Sequence, residues 1–290
     1  MSGAMKLRAN HTTTYLYTDP VSICHTMVHL TPRDVRNQRL LDYKLSIDPL
    51  PEATFRHKDY FGNEVTCFCI HEPHRSLRIS ADSTIELEPA ELLEPCLTPA
   101  WEEGRAGRWR HSVSNAVEAY QFVFPSPRIA PAPEFAAYAD PSFTPGRPFL
   151  EAVVDLCHRI YTDFHYDQQA TTVATSVAEV LHCKRGVCQD FAHVAITCLR
   201  SLGLAARYVS GYLNVPDLIG SQASHAWLSV FFPGLGWFDL DPTNDQMVNA
   251  SHITLAWGRD YSDVAPVKGV AIGGSRQVIR VCVAVLPVDG

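Results

Sequence analysis

A cluster of seven prolines between Pro125 and Pro148 divides the chain into two halves with different hydrophobic patterns. Proline has a fixed φ and no amide hydrogen, so this density of proline excludes a central strand or a helix interior. We therefore predict a linker over residues 126–148, with one domain over 1–125 and another over 149–290. A chain of 290 residues is long enough for two domains of ordinary size.

The first half carries strand patterns only. Short alternating or β-branched runs, typical of half-buried strands, are separated by turn residues. These runs are Thr12–Tyr17, Ile23–Leu30, Leu40–Ile47, Glu64–Ile70, Leu77–Leu87 and Ala119–Val123. Several short strands without a helical pattern predict an antiparallel β-sandwich.

The second half begins with the period of amphipathic helices. Apolar residues recur at intervals of three and four over Leu150–Phe164. Ser176 and Glu179 have the capping-box spacing, which predicts a short helix ending near His182, and a further helix is predicted over Cys188–Leu202. Strand patterns follow at Arg207–Val215, Ala226–Phe232, Trp237–Leu240 and Gln277–Val285. The predicted fold class is therefore α+β, with helices packed on an antiparallel sheet in the second half.

The composition favours a packed protein that does not bind nucleic acid or cross a membrane. Hydrophobic residues make up 46% and charged residues 19%, which excludes a disordered chain. Every apolar run is far shorter than the ~18 residues of a membrane-spanning helix. The net charge is −7 and no basic block is present, which argues against a nucleic-acid partner. No secretory pattern precedes the first strand and the nine cysteines are scattered, so we expect a cytoplasmic protein with free thiols.

Cys188 stands where a nucleophilic thiol is best activated, at the start of a predicted helix. The positive end of the helix dipole favours a thiolate there. The backbone amides of the first turn have no acceptor within the helix, so the amide of Cys188 can bind a developing oxyanion. Gly186 allows the backbone to turn sharply just before the helix. A free cysteine is also an ordinary small core residue, so the assignment depends on the partners of Cys188.

A thiol nucleophile needs a base and a group that orients the base. His225 begins an otherwise apolar strand, which is an unfavourable position for a histidine without a polar partner. The next strand ends at Asp241, and in a hairpin that end lies beside the start of the preceding strand. Asp241 is therefore the predicted orienting carboxylate, and Asp239, two residues earlier on the same face, is the alternative. Thr243 and Asn244 are interpreted as turn residues.

A zinc site is a competing interpretation of the same region. The possible ligands are His182, Cys183, Cys188 and His193. Structural zinc sites usually bring a second ligand pair of similar spacing, which this sequence lacks, so we expect no metal and no other cofactor. His193 lies about 140° around the helix from Cys188. It is therefore badly oriented to act as the base for that thiol.

Several blocks of the sequence, in this order, resemble the transglutaminase-like superfamily of bacteria, whose members are often described as cysteine proteases. The blocks are Gly186–His193, Ala206–Tyr212, Ser224–Trp227, Gly236–Trp237, Asp241–Asn244 and Gly258–Pro266. In the first half, His11–Thr13, Pro32–Arg33 and Asp59–Asn63 resemble the N-terminal β domain of the same family. The resemblance covers nearly the whole chain. It implies a papain-like core with Cys188 as nucleophile, His225 as general base and acid, and Asp241 as the residue that orients His225.

The resemblance leaves the second oxyanion donor open. Tyr166 and Gln168 precede the nucleophile, where the family's core begins, and both are candidates for this role or for substrate binding. Tyr166 is equally a candidate core aromatic. The motif itself does not choose between these roles.

The implied chemistry is cysteine-dependent acyl transfer on peptide or isopeptide amides through a thioester. We expect hydrolysis, as in a peptidase or amidase. The alternatives are capture of the thioester by an amine, as in transglutaminases, and a non-catalytic peptide-binding scaffold. Arylamine acetyltransferases share the order Cys, His, Asp, but they place the cysteine early, whereas a β domain and a linker precede it in this chain. The expected partners are a peptide or protein substrate and, by resemblance, peptide-ligase or proteasome-like proteins.

Overall fold

The computed structural model describes residues 4–89, 93–109, 116–215, 218–221 and 223–288. Its strands are β1 (Met5–Val28), β2 (Gln38–Asp48), β3 (Ala53–Lys58), β4 (Glu64–Ile70), β5 (His74–Leu87), β6 (His165–Tyr166), β7 (Arg185–Gly186), β8 (Ala206–Leu213), β9 (His225–Phe232), β10 (Gly236–Asp241), β11 (Gln246–Met247), β12 (His252–Gly258), β13 (Val267–Gly273) and β14 (Gln277–Pro287). Its α-helices are α1 (Ala116–Tyr120), α2 (Pro133–Ala139), α3 (Phe149–Asp163), α4 (Val177–Cys183), α5 (Cys188–Ser201) and α6 (Tyr261–Val264). The α+β class predicted from the sequence is confirmed.

The first sheet is built around β1, which runs for 24 residues. Along one edge β1 pairs antiparallel with β4 and then β5, and along the other edge with β13 and then β14. The ladder with β5 shifts register between Leu16 and Val21. Pro20 lies in this interval, and a proline cannot donate to a ladder. Because β1 pairs with other strands along nearly its whole length, the predicted sandwich takes the form of a single curled antiparallel sheet.

Sheet membership does not follow the predicted boundaries at 125 and 149. β13 and β14 come from the end of the predicted core, yet they pair along β1 from Val28 to Leu7. Residues 267–287 therefore belong to the first sheet. An alternating pattern reports which faces of a strand are buried, but it does not report which strand lies next to it.

The proline-rich segment 126–148 is a packed part of the core rather than a free linker. It contains α2, which begins at Pro133, because the first helical position does not need an amide hydrogen. Phe135 and Ala139 are buried, and α2 packs against α5.

The expected strand at Ala119–Val123 is wrong. This segment ends α1 and continues as a 3₁₀ turn. Ala119 and Phe122, three residues apart, are both buried, and this is a spacing that a helix places on one face.

The second sheet has the strand order β11–β10–β9–β8–β12, and α5 packs against β8 and β9. Every residue of α5 from Asp190 to Arg200 is buried, so α5 is the central helix of the core. The capping box predicted before α4 is present, because Glu179 N donates to Ser176 Oγ at 3.2 Å. The sequence therefore predicted both α4 and α5, the helix that begins at Cys188.

Two side chains from the first sheet region cover the outer edge of β12. Gln38 Nε2 donates to Thr254 O, and Thr254 N donates to Gln38 Oε1, each at 2.8 Å. Asn63 Nδ2 donates to Trp257 O at 2.9 Å, and Trp257 N donates to Asn63 Oδ1 at 3.0 Å. These paired bonds imitate a neighbouring strand and protect an exposed sheet edge. They also fix the first sheet to the core by directional contacts.

Within the described ranges, no helix combines the length and the apolar character that crossing a bilayer requires. All nine cysteines lie in the described part of the chain, and all of them are unpaired.

Candidate active site

Three polar side chains from three strands meet at one end of the second sheet. His225 begins β9, Asp241 ends β10 and His252 begins β12. Because β10 runs antiparallel to β9, the end of one strand lies beside the start of the other. His225 Nε2 donates to Asp241 Oδ2 at 2.7 Å, and both side chains are fully buried. The structure thus joins the imidazole and the carboxylate that the sequence analysis paired.

Asp239, the alternative carboxylate, has a different partner. Trp227 Nε1 donates to Asp239 Oδ2 at 3.3 Å. Asp239 lies opposite Ser229 in the ladder, farther along β9 from His225. Of the two carboxylates on β10, Asp241 is the one that contacts the imidazole.

Cys188 is the first residue of α5 and is buried beside His225. Asp241 occupies Nε2 of the imidazole, so Nδ1 is the ring nitrogen available to the thiol. Nδ1 is buried and has no hydrogen bond of ordinary geometry to a described residue. Catalytic hydrogen bonds are commonly long before a substrate binds. The order in space is therefore Cys188, His225 and Asp241, with the imidazole in the middle.

The charges in this cluster favour a protonated imidazole. Burial alone would lower the pKa of His225, but Asp241 and Cys188 outweigh burial and raise this pKa to about 10. Burial would raise the pKa of Asp241, but His225 and His252 hold it well below its usual range. A protonated imidazole held by a carboxylate beside a thiol is an arrangement that suits nucleophilic chemistry at sulfur.

His252 is a member of the cluster that the sequence analysis missed. Its Nε2 donates to Asp241 Oδ2 at 3.1 Å, and its Nδ1 accepts from Ser251 Oγ at 2.9 Å. Like His225, it begins an apolar strand and is fully buried. A buried histidine at the start of an apolar strand needs a polar partner, and this holds for His252 as it does for His225.

The turn after β10 also holds Asp241. Asn244 Nδ2 donates to Asp241 Oδ2 at 2.8 Å, and Thr243 N donates to Asp241 Oδ1 at 2.9 Å. Asn244 Oδ1 accepts from Ile219 N at 2.9 Å. Thr243 and Asn244 are turn residues as predicted, and Asn244 has the further function of linking Asp241 to the segment that precedes His225.

Two glycines create the space that the histidine cluster needs. Gly211 lies opposite His225 in the β8–β9 ladder, and a Cβ there would lie 2.3 Å from Trp227 Cη2. Trp227 packs against His252 with ring centroids 5.0 Å apart. Gly220 has a φ of +96°, and a Cβ there would lie 2.6 Å from His225 Nδ1. Side chains at these two positions would displace Trp227 and block Nδ1.

The role of Gly186 differs from the one expected. It does not have a positive φ; instead, a Cβ there would lie 2.6 Å from Asp190 Oδ2. Asp190 Oδ2 accepts from Val187 N at 2.9 Å and from Thr171 Oγ1 at 2.6 Å. Gly186 therefore admits the carboxylate that fixes the first turn of α5, and with it the position of Cys188.

Tyr166 and Gln168 lie at the same end of α5. Tyr166 on β6 is the parallel partner of Gly186 on β7, two residues before Cys188. Burial, followed by the charge of Cys188, raises the pKa of Tyr166 to about 12, although a hydrogen bond with Gln168 opposes the shift. The Tyr166 ring also packs edge-on against Phe191, with centroids 6.3 Å apart. Tyr166 is thus both a neighbour of the thiol and a partly buried aromatic contact.

The zinc ligands considered from the sequence are not brought together. His193 Nε2 accepts from Tyr261 N at 3.2 Å, and burial lowers the pKa of His193 to about 4. In the described part of the chain, the group whose ligand atoms do converge, within 4.8 Å, is His225, Asp241 and His252. These are suitable donor types for a transition metal ion, but both histidines already donate to the same oxygen of Asp241. The Asp241 carboxylate is therefore satisfied by hydrogen bonds from protein groups.

Comparison with known proteins gives matches along most of the chain. The family model of the bacterial transglutaminase-like N-terminal region matches residues 7–86. The family model of the transglutaminase-like superfamily matches residues 136–242, a range that includes Cys188, His225 and Asp241. An uncharacterised protein of Mycobacterium tuberculosis H37Rv is 41% identical over 100% of this chain and 95% of its own length. An uncharacterised protein of Mycobacterium leprae is 32% identical over 92% of this chain and 94% of its own length.

A solved structure shows the same fold. It is the crystal structure of a candidate cysteine protease from Cytophaga hutchinsonii, with a TM-score of 0.78 and 22% sequence identity. The match covers 100% of this chain and 92% of that chain, so it includes the curled sheet as well as the core.

Proposed function

The chain belongs to the transglutaminase-like superfamily, and from this premise we propose that it hydrolyses peptide or isopeptide amides through a thioester on Cys188. The observation that carries the proposal is the buried contact of His225 with Asp241 at 2.7 Å, beside a thiol at the start of a buried helix. A thiol, an oriented imidazole and a carboxylate are the groups that acyl transfer by a cysteine needs. This chemistry requires no cofactor.

In the proposed acylation step, Cys188 Sγ attacks the carbonyl carbon of the amide and forms the C–S bond. The C–N bond then breaks, and the His225 imidazolium gives its Nδ1 proton to the leaving amine. Asp241 holds the opposite ring nitrogen, so the proton is delivered from a fixed direction. The Cys188 amide, at the N-terminus of α5, is the proposed first oxyanion donor, and Tyr166 or Gln168 is the proposed second.

In the proposed deacylation step, water attacks the thioester carbon and His225 Nδ1 accepts a proton from that water. The C–S bond breaks, the thiolate is restored and a carboxylic acid leaves. Capture by an amine would follow the same path with an amine in the position of water. We propose hydrolysis because water needs no binding pocket of its own, whereas an amine must be held against the thioester.

Trapping of the acyl-enzyme tests this function. We expect chromogenic esters of short peptides, quenched in acid, to leave one acyl group on Cys188, detected by intact mass and peptide mapping. In water the adduct should decay to the free acid. The Cys188→Ala variant should give no adduct, and Cys198→Ala, ten residues further along the same buried helix, should react normally.

Two outcomes would contradict the proposal. An amide product in the presence of an added primary amine, at the expense of the acid, would indicate a transglutaminase. If iodoacetamide at about pH 6 labels Cys188 no faster than the other eight thiols, and no ester acylates it, the peptide-binding scaffold is the better description.

A further inference from the structure

A cavity of about 770 Å³ lies between the curled first sheet and the core. Tyr15 and Tyr17 of β1 line it on one side, and Ser224 and Tyr261 line it on the side of the core. Ser224 immediately precedes His225, so the cavity extends to the edge of the proposed active site. The volume is in the range of pockets that hold ligands of the size of short peptides.

Two neighbouring tyrosines connect this cavity with the nucleophile. Tyr208 is buried, and its pKa is raised first by burial and then by the charge of Cys188, which places the two side chains near one another. The rings of Tyr208 and Tyr261 lie 6.3 Å apart at 79°, and Tyr261 forms part of the cavity wall. A substrate in the cavity would therefore lie within two side chains of Cys188.

Among the described residues that line the cavity, Arg128 and Lys268 are the cations and none is a carboxylate. Both cations converge on Ser262: Arg128 Nε donates to its Oγ at 3.4 Å, and Lys268 Nζ donates to its carbonyl oxygen at 3.3 Å. Arg128 also donates to the carbonyl oxygen of Val173. In the described chain, neither cation forms an ion pair with a carboxylate. Two like charges at one residue, bonded only to neutral oxygens, form a site that favours an anion.

Two carboxylates approach the cavity wall, and both are bound elsewhere. Asp260 Oδ2 accepts from the backbone N of Arg128 and Oδ1 from the backbone N of Ser262, each at 2.8 Å. Asp260 is fully buried, and these two bonds hold the backbone at Arg128 and at Ser262. Asp19 accepts from Ser275 Oγ at 2.6 Å. Neither carboxylate is bonded to the side-chain nitrogens of the two cations.

We propose that this cavity is a substrate subsite for peptides that carry a carboxylate, which Arg128 and Lys268 bind while the reacting amide reaches Cys188. Binding of the carboxylate by Arg128 and Lys268 does not depend on the proposed function. The reaction of the bound peptide at Cys188 rests on it. Tyr15 also lines the cavity, and its phenolic hydroxyl can donate a further hydrogen bond to the anion. The carboxylate can come from an acidic side chain or from the C-terminus of the peptide.

Direct binding to the full-length Cys188→Ala protein tests the subsite without turnover. The probes are three pentapeptides of otherwise equal sequence: one with a central Glu and an amidated end, one with a central Gln and an amidated end, and one with a central Gln and a free C-terminal carboxylate. Calorimetry should show that the protein binds at least one acidic probe about tenfold or more tightly than the neutral one. The acidic probe that wins identifies the source of the carboxylate.

Variants of the cations assign the preference to this cavity. Arg128→Gln combined with Lys268→Gln should abolish the preference and leave binding of the neutral probe unchanged. Lys268→Gln alone, at an exposed position on β13, should reduce the preference severalfold, and Arg128→Lys should retain most of it. Lys58→Gln on β3, which removes an exposed lysine paired with Glu64, is the matched control and should have no effect.

The outcomes separate the subsite from the proposed function. Equal binding of acidic and neutral probes by the Cys188→Ala protein, or a preference that survives the double substitution in a folded variant, overturns the subsite. A cation-dependent preference with no acyl adduct on Cys188 from any acidic ester supports the subsite and overturns the proposed function. Adducts that form equally well from acidic and neutral esters support the function and overturn the subsite.

Discussion

Two histidines in different regions of the molecule are equally buried and have opposite electrostatic environments. His11, on β1 of the curled sheet, and His225, on β9 of the core, are each 1% exposed. His11 hydrogen-bonds the hydroxyls of Tyr212 and Thr13, and burial lowers its pKa to about 4. His225 contacts a carboxylate, and its pKa is raised to about 10. Neutral partners make the first histidine a structural contact, whereas charged partners make the second suitable for proton transfer.

Substitutions in these two regions should change different properties of the protein. The His11 contact joins β1 to β8, so it holds the two sheets together. The His225–Asp241 contact also stabilises the folded protein near pH 7, because the pKa of His225 is raised and that of Asp241 is lowered, and in addition it places a charge beside Cys188. We therefore expect substitutions around His225 to lower turnover as well as stability, and substitutions around His11 to lower stability at nearly constant turnover.

The largest expected effect is that of Cys188→Ala. Removal of the nucleophile should reduce ester turnover by about 10⁴-fold or more, with a circular dichroism spectrum like that of the native protein. Cys198→Ala is the control, because it removes another buried sulfur from the same helix. It should lower the melting temperature and leave turnover unchanged. Comparable turnover in the two variants would show that Cys188 is not the nucleophile.

The next largest effect is expected for Asp241→Asn. The amide keeps the shape of the carboxylate but removes the charge that holds the His225 imidazolium, so kcat should fall by about 10³- to 10⁴-fold with little change in KM. Asp239→Asn is the matched control on the same strand, because an asparagine oxygen can still accept from Trp227. If Asp239→Asn is the damaging substitution and Asp241→Asn is nearly silent, the assignment of the orienting residue is wrong.

The buried, neutral state of His11 should make the folded protein less stable in acid. The pKa of His11 is about 4 in the folded protein and 6.5 in an ordinary environment. Between these values the unfolded chain binds a proton that the folded protein does not, so stability is complete above pH 6.5 and is lost as the pH falls toward 4. The loss attributable to His11 is about 3 kcal/mol. His11→Gln should remove this part of the pH dependence, which urea unfolding between pH 4 and 7 measures.

His25→Gln is the control for this measurement. His25 lies on the same strand but is exposed, so its replacement should leave the slope of stability against pH unchanged. His193, whose pKa burial also lowers to about 4, should keep a residual slope in the His11→Gln variant. Equal slopes for His11→Gln and the native protein would contradict a neutral, buried His11.

The part of the site that the sequence could predict depends on local patterns. The start of α5 at Cys188 follows from helical periodicity, and the contact between His225 and Asp241 follows from a hairpin of two successive strands. Two strands that follow one another in sequence pair in such a hairpin. An alternating hydrophobic pattern and a turn signal are therefore sufficient to predict that they are paired.

The part that the sequence could not predict depends on contacts between distant segments. His252 reaches Asp241 although β8 and β9 separate β12 from β10 in the sheet, and no local pattern predicts a contact across that order. The pairing of β13 and β14 with β1 spans most of the chain length and differs from the predicted boundary for the same reason. The packing of α2 in the proline-rich segment likewise depends on the face of α5 that it covers.

The smallest expected effect distinguishes His252 from His225, although both donate to the same oxygen of Asp241. His252→Ala removes one donor, while the bonds from Asn244 and Thr243 remain, so Asp241 stays charged but is held less firmly. We expect kcat to fall about tenfold at constant KM, with a slower reaction of Cys188 with iodoacetamide at pH 6. His252→Gln restores a donor and should recover most of both rates.

A purely structural role for His252 would give a different result. In that case His252→Ala and His252→Gln should lower the melting temperature without changing the labelling rate of Cys188 in the folded protein. Rescue by glutamine of both kcat and the labelling rate, at equal melting temperatures, identifies His252 as a positioning residue that acts through Asp241. If alanine and glutamine are equally slow, the hydrogen bond at 3.1 Å is not what positions Asp241, and the packing of His252 against Trp227 is the remaining cause.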